Sequence, residues 1–170
     1  MAGRIEMTLA ELGITLPSPM PPIANYVPYA VTGSLVVVSG QVPAVDGKIA
    51  ITGKVGNGLS IDQGREAARL CLINVLVHLK AACGGDLDRV RRVVRLGGFV
   101  ASPPEFTQHA QVMNGPGSPL LLAWNDVHST VRARDACGLG VSTAATRAGS
   151  TESRRARISR RRVADKLVTR

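Results

Sequence analysis

The sequence predicts an α+β protein in which a mixed sheet is packed by helices, and three observations carry that prediction. A long amphipathic stretch opens at Ser60 and closes at Gly84-Gly85, short apolar strand patterns lie on both sides of it, and the apolar residues are nearly all aliphatic. Apolar residues make up 45% of the 170-residue chain and aromatics only 3%, so the core must be built from Val, Leu, Ile and Ala. A chain of this length suits one domain around one core.

The opening residues are amphipathic, and LPSPMPPIANYVP after them is proline-rich, which fixes φ and biases each preceding residue away from helix, so it predicts an extended connector. YAVTGSLVVVSGQVP places a turn at Thr32-Gly33-Ser34 between two strands. The second, Leu35 to Val38, is so uniformly apolar that it is expected to be buried on both faces. Asp46-Gly47 signals another hairpin turn, followed by an alternating edge strand from Lys48 to Thr52.

Ser60 and Gln63 form the S-x-x-Q capping pattern, in which hydroxyl and carboxamide satisfy the first free backbone groups of a helix. Ala68, Leu72, Val75, Leu79 and Ala82 then recur at three- and four-residue steps, with Cys71 and Leu76 beside them, a stripe wide enough to cover a sheet. Gly84-Gly85 ends the helix, because glycine adopts the left-handed cap conformation without a Cβ clash. A short turn at DLDRV leads into the strand RRVVRLGGFVAS, where Gly97 and Gly98 mark a bulge or a close approach.

No apolar run approaches the roughly 18 residues a membrane span needs, and acids stand where a signal peptide would be apolar, so a cytoplasmic protein is expected. Cys71, Cys83 and Cys137 lack CxxC or Cys/His ligand spacing, which supports neither disulfides nor zinc; Cys71 and Cys83 read as buried small hydrophobes. His78, His109 and His128 share no metal-ligand or triad spacing and are read as non-catalytic. Ser39 has no G-x-S-x-G elbow, and the glycine-rich stretches match neither P-loop nor dinucleotide fingerprints. The net charge of +9 is mostly tail: Lys and Arg number ten against eight Asp and Glu in residues 1–114, three against two in 115–150, and eight against two in 151–170. The last segment lacks the interleaved aromatics of a single-strand-binding surface and predicts a solvated, disordered tail.

Several features in order resemble the RidA/YjgF family. Tyr26 stands fourteen residues ahead of Gly40 in Ser39-Gly40-Gln41-Val42-Pro43, the helix over 60–84 carries Asn74, Asp88 to Phe106 reads DRVRRVVRLGGFVASPPEF, and Asn114 follows in V-M-N-G. The resemblance covers about two-thirds of the chain, residues 1–114, and is greatest to the longer-looped branch of the family. It implies a chorismate-mutase-like α+β fold in a homotrimer, with clefts between subunits that take small carboxylate-bearing molecules. It also implies hydrolysis of reactive enamines and imines of 2-keto acids without a cofactor or metal. Tyr26, Gly40, Gln41 and Asn114 would bind the substrate. Such a substrate needs a guanidinium fork for its carboxylate and an acceptor that orients water at the imine carbon.

In the family those needs are met in the last third, by an arginine in A-R-x-x-V-x-V-x-x-L-P and a glutamate in V-E-[VI]-E. Here Ala133-Arg134-Asp135-Ala136-Cys137 echoes the first motif and Arg132 lies near the family spacing from Asn114, so Arg134 and Arg132 are the candidate catalytic residues. No L-P-x-G, V-E-V or second alternating strand follows. Beyond Asn114 the composition turns to Arg, Ser, Thr, Ala and Gly, as GC-rich codons give out of frame, so a reading-frame change is expected there, with a genuine basic tail as the alternative. On that reading 115–150 is a divergent segment in place of the family's last strands, and the chain as it stands is weakly active or inactive on imino acids. The alternatives are a non-catalytic binder of small carboxylates and an RNA-binding protein or endoribonuclease acting through its basic tail, since some family members have been described as ribonucleases. For Tyr26 packing at a strand edge competes with lining a cleft, and Asn74 reads as a structural hydrogen-bonder.

Overall fold

The computed structural model describes residues 3–19, 25–114, 129–134 and 140–147, the last two segments by their backbone. Helix α1 (Arg4–Glu11) opens the chain, and strands β1 (Tyr29–Thr32) and β2 (Leu35–Gln41) form a hairpin. Two small ladders follow, β3 (Ala44–Val45) with β4 (Lys48–Ile49) and β5 (Lys54–Val55) with β6 (Gly58–Leu59). Helix α2 (Ile61–Ala82), a 3₁₀ turn (Leu87–Arg89), the long strand β7 (Val90–Ala101), β8 (Ser129–Arg134) and β9 (Gly140–Arg147) complete it. A helical segment at 109–114 follows β7.

Local chemistry explains most boundaries. Gly33 takes φ +57 as the first of two residues between the paired ends Thr32 and Leu35, the requirement of a type II′ hairpin turn. Asp46 and Gly47 take φ 48 and +80, both positive as a type I′ turn demands. At the start of α2 the Gln63 N–H donates to Ser60 Oγ (3.2 Å) and the Ser60 N–H to Gln63 Oε1 (2.9 Å), the reciprocal cap the sequence signalled. At its end Gly85 N–H reaches Lys80 O (2.9 Å) and Gly84 N–H reaches Ala81 O (3.1 Å), a Schellman closure on two left-handed glycines.

The five-stranded sheet has the order β1-β2-β9-β7-β8. β9 is antiparallel to both β2 and β7, so β2 and β7 run parallel, and β8 adds parallel to β7. Helix α2 covers one face: Cys71, Leu72, Val75, Leu76 and Leu79 pack against Val36, Val38, Val93 and Leu96, with Ile5 and Leu9 of α1 joining at one end. Each fully buried aliphatic side chain contributes about 1.5–3 kcal/mol. A second cluster of Val55, Ala67, Ala68, Val100 and Val112 lies beneath the C-terminal end of β7. Helix α1 begins at Gly3, which has no capping side chain; the Asp88 carboxylate does that work from the 3₁₀ turn, accepting from Arg4 N–H (2.6 Å) and Ile5 N–H (2.9 Å).

Three expectations change. Residues after Asn114 do contain two strands, β8 and β9, and β9 sits in the middle of the sheet. A central strand is held by backbone pairing on both edges, so GVSTAATR needs little apolar alternation to be one, and its Val and Thr residues are β-formers. Within one copy β2 is buried on one face only: Val36 and Val38 are buried but Val37 is 44% exposed, because the helices cover one side of the sheet. The edge strand expected from Lys48 to Thr52 pairs only over Lys48–Ile49, in its own two-stranded ladder. The tail 151–170 and its expected disorder lie outside the described residues, as do Trp124, His128 and Cys137.

Candidate functional site

The register brings four strand ends to one level. Gln41 pairs with Val141, Val141 with Gly98, and Gly98 with Val131, a row across β2, β9, β7 and β8. β2, β7 and β8 all run toward this end of the sheet, and β9 starts from it. The β2–β9 register shifts between Val38 and Gln41, a bulge at Ser39-Gly40 that bends the strand as it leaves the sheet. Gly40 is exposed, while Gln41 is 7% exposed with Nε2 donating to Ser39 O (3.1 Å). Beyond them Asn74 of α2 donates through Nδ2 to Val42 O and Ala44 O, each at 3.1 Å. That bears out its reading as a structural hydrogen-bonder.

Ser39 ties the chain entering β1 to this end. Its N–H donates to Pro28 O (2.9 Å) and its hydroxyl to Val27 O (2.7 Å), so Ser39 clamps the two segments together. Tyr26 follows immediately outward, 42% exposed at the β1 edge.

The far side is built around the end of β7. Gly98 has no side chain because Met113 occupies the place: a Cβ at 98 would overlap the Met113 thioether. Ser102 Oγ lies 3.0 Å from His109 Nε2, and the His109 ring meets Phe106 edge-on, centroids 5.0 Å apart at 82°. Arg65 Nε donates to Gln111 O (3.0 Å), tying the same helical segment to α2. These contacts fix residues 109–114 against the strand end, and Asn114, exposed, is the last of them. Arg132 and Arg134 of β8 stand opposite Phe99 and Ala101.

The predicted residues therefore share one end of the sheet but not one cleft within a chain. Gly40 and Gln41 lie on the second strand and the arginines on the fifth, with Tyr26 beyond the first. With about 4.8 Å between neighbouring strands, Tyr26 and the β8 arginines are roughly 19 Å apart, beyond the reach of a small substrate. Gly97 and Gly98 show no register shift between them, so close approach, here by Met113, is the reading that holds. The Ser102–His109–Phe106 cluster escaped sequence reading because a seven-residue Ser/His separation across two prolines has no motif. His78 is buried in α2, and loss of hydration pushes its pKa down, favouring the neutral ring. Among the described residues Glu6, Asp86 and Asp88 are the acidic group compact enough for a metal, with ligand atoms within 4.8 Å of one another. It lies at the α1 end, and hydrogen bonds from the Ile5 and Arg4 N–H groups, which lower the Asp88 pKa, show that carboxylate serving as a helix cap.

A helix-backed sheet with the order β1-β2-β9-β7-β8 and strand ends gathered on one side defines a small α+β fold. The family model described as YjgF/chorismate mutase-like, putative endoribonuclease, matches residues 6–134, past Asn114 and through both arginines. The chain belongs to that family. Protein TCP17 of Trypanosoma cruzi is 40% identical over 141 residues, 83% of this chain and 86% of that protein. The structure of protein Atu1372 of Agrobacterium tumefaciens, described as of unknown function, is 38% identical, with a TM-score of 0.76 over 85% of this chain and 93% of that one. A putative endoribonuclease from Shewanella oneidensis MR-1 is 25% identical, with a TM-score of 0.78 over 85% and 99%. No helix among the described residues is long and apolar enough to cross a membrane.

Proposed function

We propose that this RidA/YjgF family protein hydrolyses reactive enamines or imines of 2-keto acids without a cofactor, in a homotrimer whose clefts lie between copies. The observation that supports this reading is the register row that carries Gly40-Gln41, the end of β7 beside Asn114, and the β8 positions of Arg132 and Arg134 to one end of the sheet. Tyr26 and the arginines lie on opposite edges, so a cleft using both takes one wall from each of two copies. The sheet face carrying the exposed Val37 is the apolar surface that such an assembly covers.

Within that cleft an arginine fork holds the substrate carboxylate, and the polar strand end at Gly40-Gln41 orients the molecule. Water adds to the imine carbon as a proton passes to nitrogen, and the carbinolamine collapses to keto acid and ammonia. The family's glutamate motif has no counterpart in the sequence, so the rate is expected to be low. The test combines sizing with release of keto acid from an imine generated in situ by a pyridoxal-phosphate-dependent dehydratase. A trimer that accelerates release above the spontaneous rate, and loses that acceleration on Arg132→Ala or Arg134→Ala, supports the reading. A monomer without acceleration, or a trimer indifferent to both substitutions, overturns it.

A second reading, RNA binding, draws on the eight Lys and Arg in residues 151–170 and on the family's description as putative endoribonuclease. Its affinity falls steeply with salt as phosphate counterions are released. Deleting 151–170 abolishes that binding if the tail is its source and leaves imine hydrolysis untouched.

A further inference from the structure

Behind the Val42–Ala44 segment lies a cavity of about 230 Å³, between the loop after α1, the β3–β4 turn and the middle of α2. Its walls mix one cation, one anion and one buried amide with aliphatic side chains: Arg69, Asp46 and Asn74 beside Ile14, Leu70 and Ile73. It is separate from the strand-end site and does not depend on the reaction proposed there.

Each polar group has a defined state. Asn74 is only 6% exposed and spends both amide hydrogens on Val42 O and Ala44 O. No donor among the described residues reaches its Oδ1, and that atom is not shut away from solvent, so it stands as an acceptor open to a ligand. Asp46 is presented by the type I′ turn, with φ 48 at Asp46 itself, and it adds a second, negatively charged acceptor. Arg69 holds Glu66 through Nε (2.8 Å) and Nη2 (2.9 Å), which uses two of its five N–H donors and fixes the guanidinium plane. Three donors remain.

Two acceptors, one of them charged, suit an ammonium; a guanidinium suits a carboxylate; the rest of the wall suits a branched hydrocarbon chain. We propose that this cavity is a binding site for a free α-amino acid with an aliphatic side chain. Glu66 already neutralises part of the Arg69 charge, so the affinity expected is modest, a Kd on the order of 1 mM. Occupancy bears on the strand-end site through Asn74, whose hydrogen bonds hold the segment that directly follows Gly40-Gln41.

The test is calorimetric titration of the full chain with L-leucine. Saturable binding is expected, with glycine, 4-methyl-2-oxopentanoate and isoamylamine each at least about tenfold weaker, since each lacks one of the three matched features. Asp46→Asn keeps a residue suited to the positive-φ turn and removes the charge, and Arg69→Gln removes the cation from a half-exposed position. Each should weaken L-leucine about tenfold while circular dichroism and thermal unfolding stay unchanged. The double substitution Arg132→Ala, Arg134→Ala should leave L-leucine binding unchanged, which separates this site from the proposed catalytic one. The proposal is overturned if L-leucine shows no saturable binding, if the keto acid binds as well as the amino acid once Arg132 and Arg134 are both replaced by alanine, or if both cavity variants bind L-leucine like the parent.

Discussion

Asn74→Ala is the substitution whose consequence the geometry defines most fully. The parent side chain donates to Val42 O and Ala44 O, both at 3.1 Å, from a helix position only 6% exposed. Val42 O also accepts from the Ala44 N–H at 2.8 Å and keeps that partner, whereas Ala44 O loses the one given to it by Asn74. Two bonds at about 0.5–1.5 kcal/mol each, with the added penalty of a buried carbonyl left unpaired, put the loss at about 2–3 kcal/mol. With a urea slope near 2 kcal/mol per molar, the unfolding midpoint should drop by about 1–1.5 M. Asn74→Asp sharpens the test, because a carboxylate facing two carbonyl oxygens has its folded pKa raised above its unfolded value of about 3.9. Such an acid is tolerated while protonated, below the unfolded pKa, and destabilises progressively as pH rises through the folded one. The stability gap between Asn74→Asp and the parent should therefore be smallest near pH 4 and widen toward pH 7. An Asn74→Ala chain within about 0.5 kcal/mol of the parent, or an Asn74→Asp gap that is flat with pH, would refute the anchoring role.

Gly98→Ala should cost no more than about 1 kcal/mol, the low end for overpacking, because only the flexible thioether end of Met113 stands in its way, and Met113→Ala added to it should remove that clash in chemical denaturation. Ser60→Ala should cost about 0.5–2 kcal/mol in the same assay, through loss of the hydroxyl half of the reciprocal cap on α2. Hydrogen bonds from Ile5 and Arg4 lower the Asp88 pKa, so its support of α1 is present above about pH 3.9 and lost as pH falls through the depressed value. Amide exchange across Arg4–Glu11 should accordingly rise at low pH beyond the intrinsic trend, and Asp88→Ala should show that faster exchange already at pH 7.

What could be read from the sequence was what short-range chemistry determines. The α2 cap joins residues three apart, the Schellman closure lies within one turn, and the hairpin turns at Gly33 and Asp46-Gly47 announce themselves by conformations few residues adopt. The features that were not legible join distant residues. Asp88 caps a helix more than eighty positions away, and no local pattern marks that partnership. β9 is a strand because β2 and β7 pair with it on either side, which its own Ser, Thr and Ala do not advertise. Val37 reads as buried by type, yet its exposure depends on which sheet face the helices cover. The candidate site was legible as residues and not as a place. Tyr26, Gly40, Gln41 and Asn114 came from resemblance, while their arrangement, one strand end with the arginines on the opposite edge, follows only from register.

The central position of β9 has a consequence for how the molecule is made. The hairpin β1–β2 and the strand β7 have no ladder joining them until a strand that begins at Gly140 arrives between them. Before that point a nascent chain holds its two half-sheets together only through the helices packed on one face, with β2 and β7 each presenting an unpaired row of N–H and C=O groups to whatever strand comes first. Synthesis thus passes through a window in which the wrong pairing, with a second nascent chain, is open, and it closes when β9 docks. A protein whose sheet is locked by a strand made this late depends on prompt completion more than one that zips up from its N-terminus.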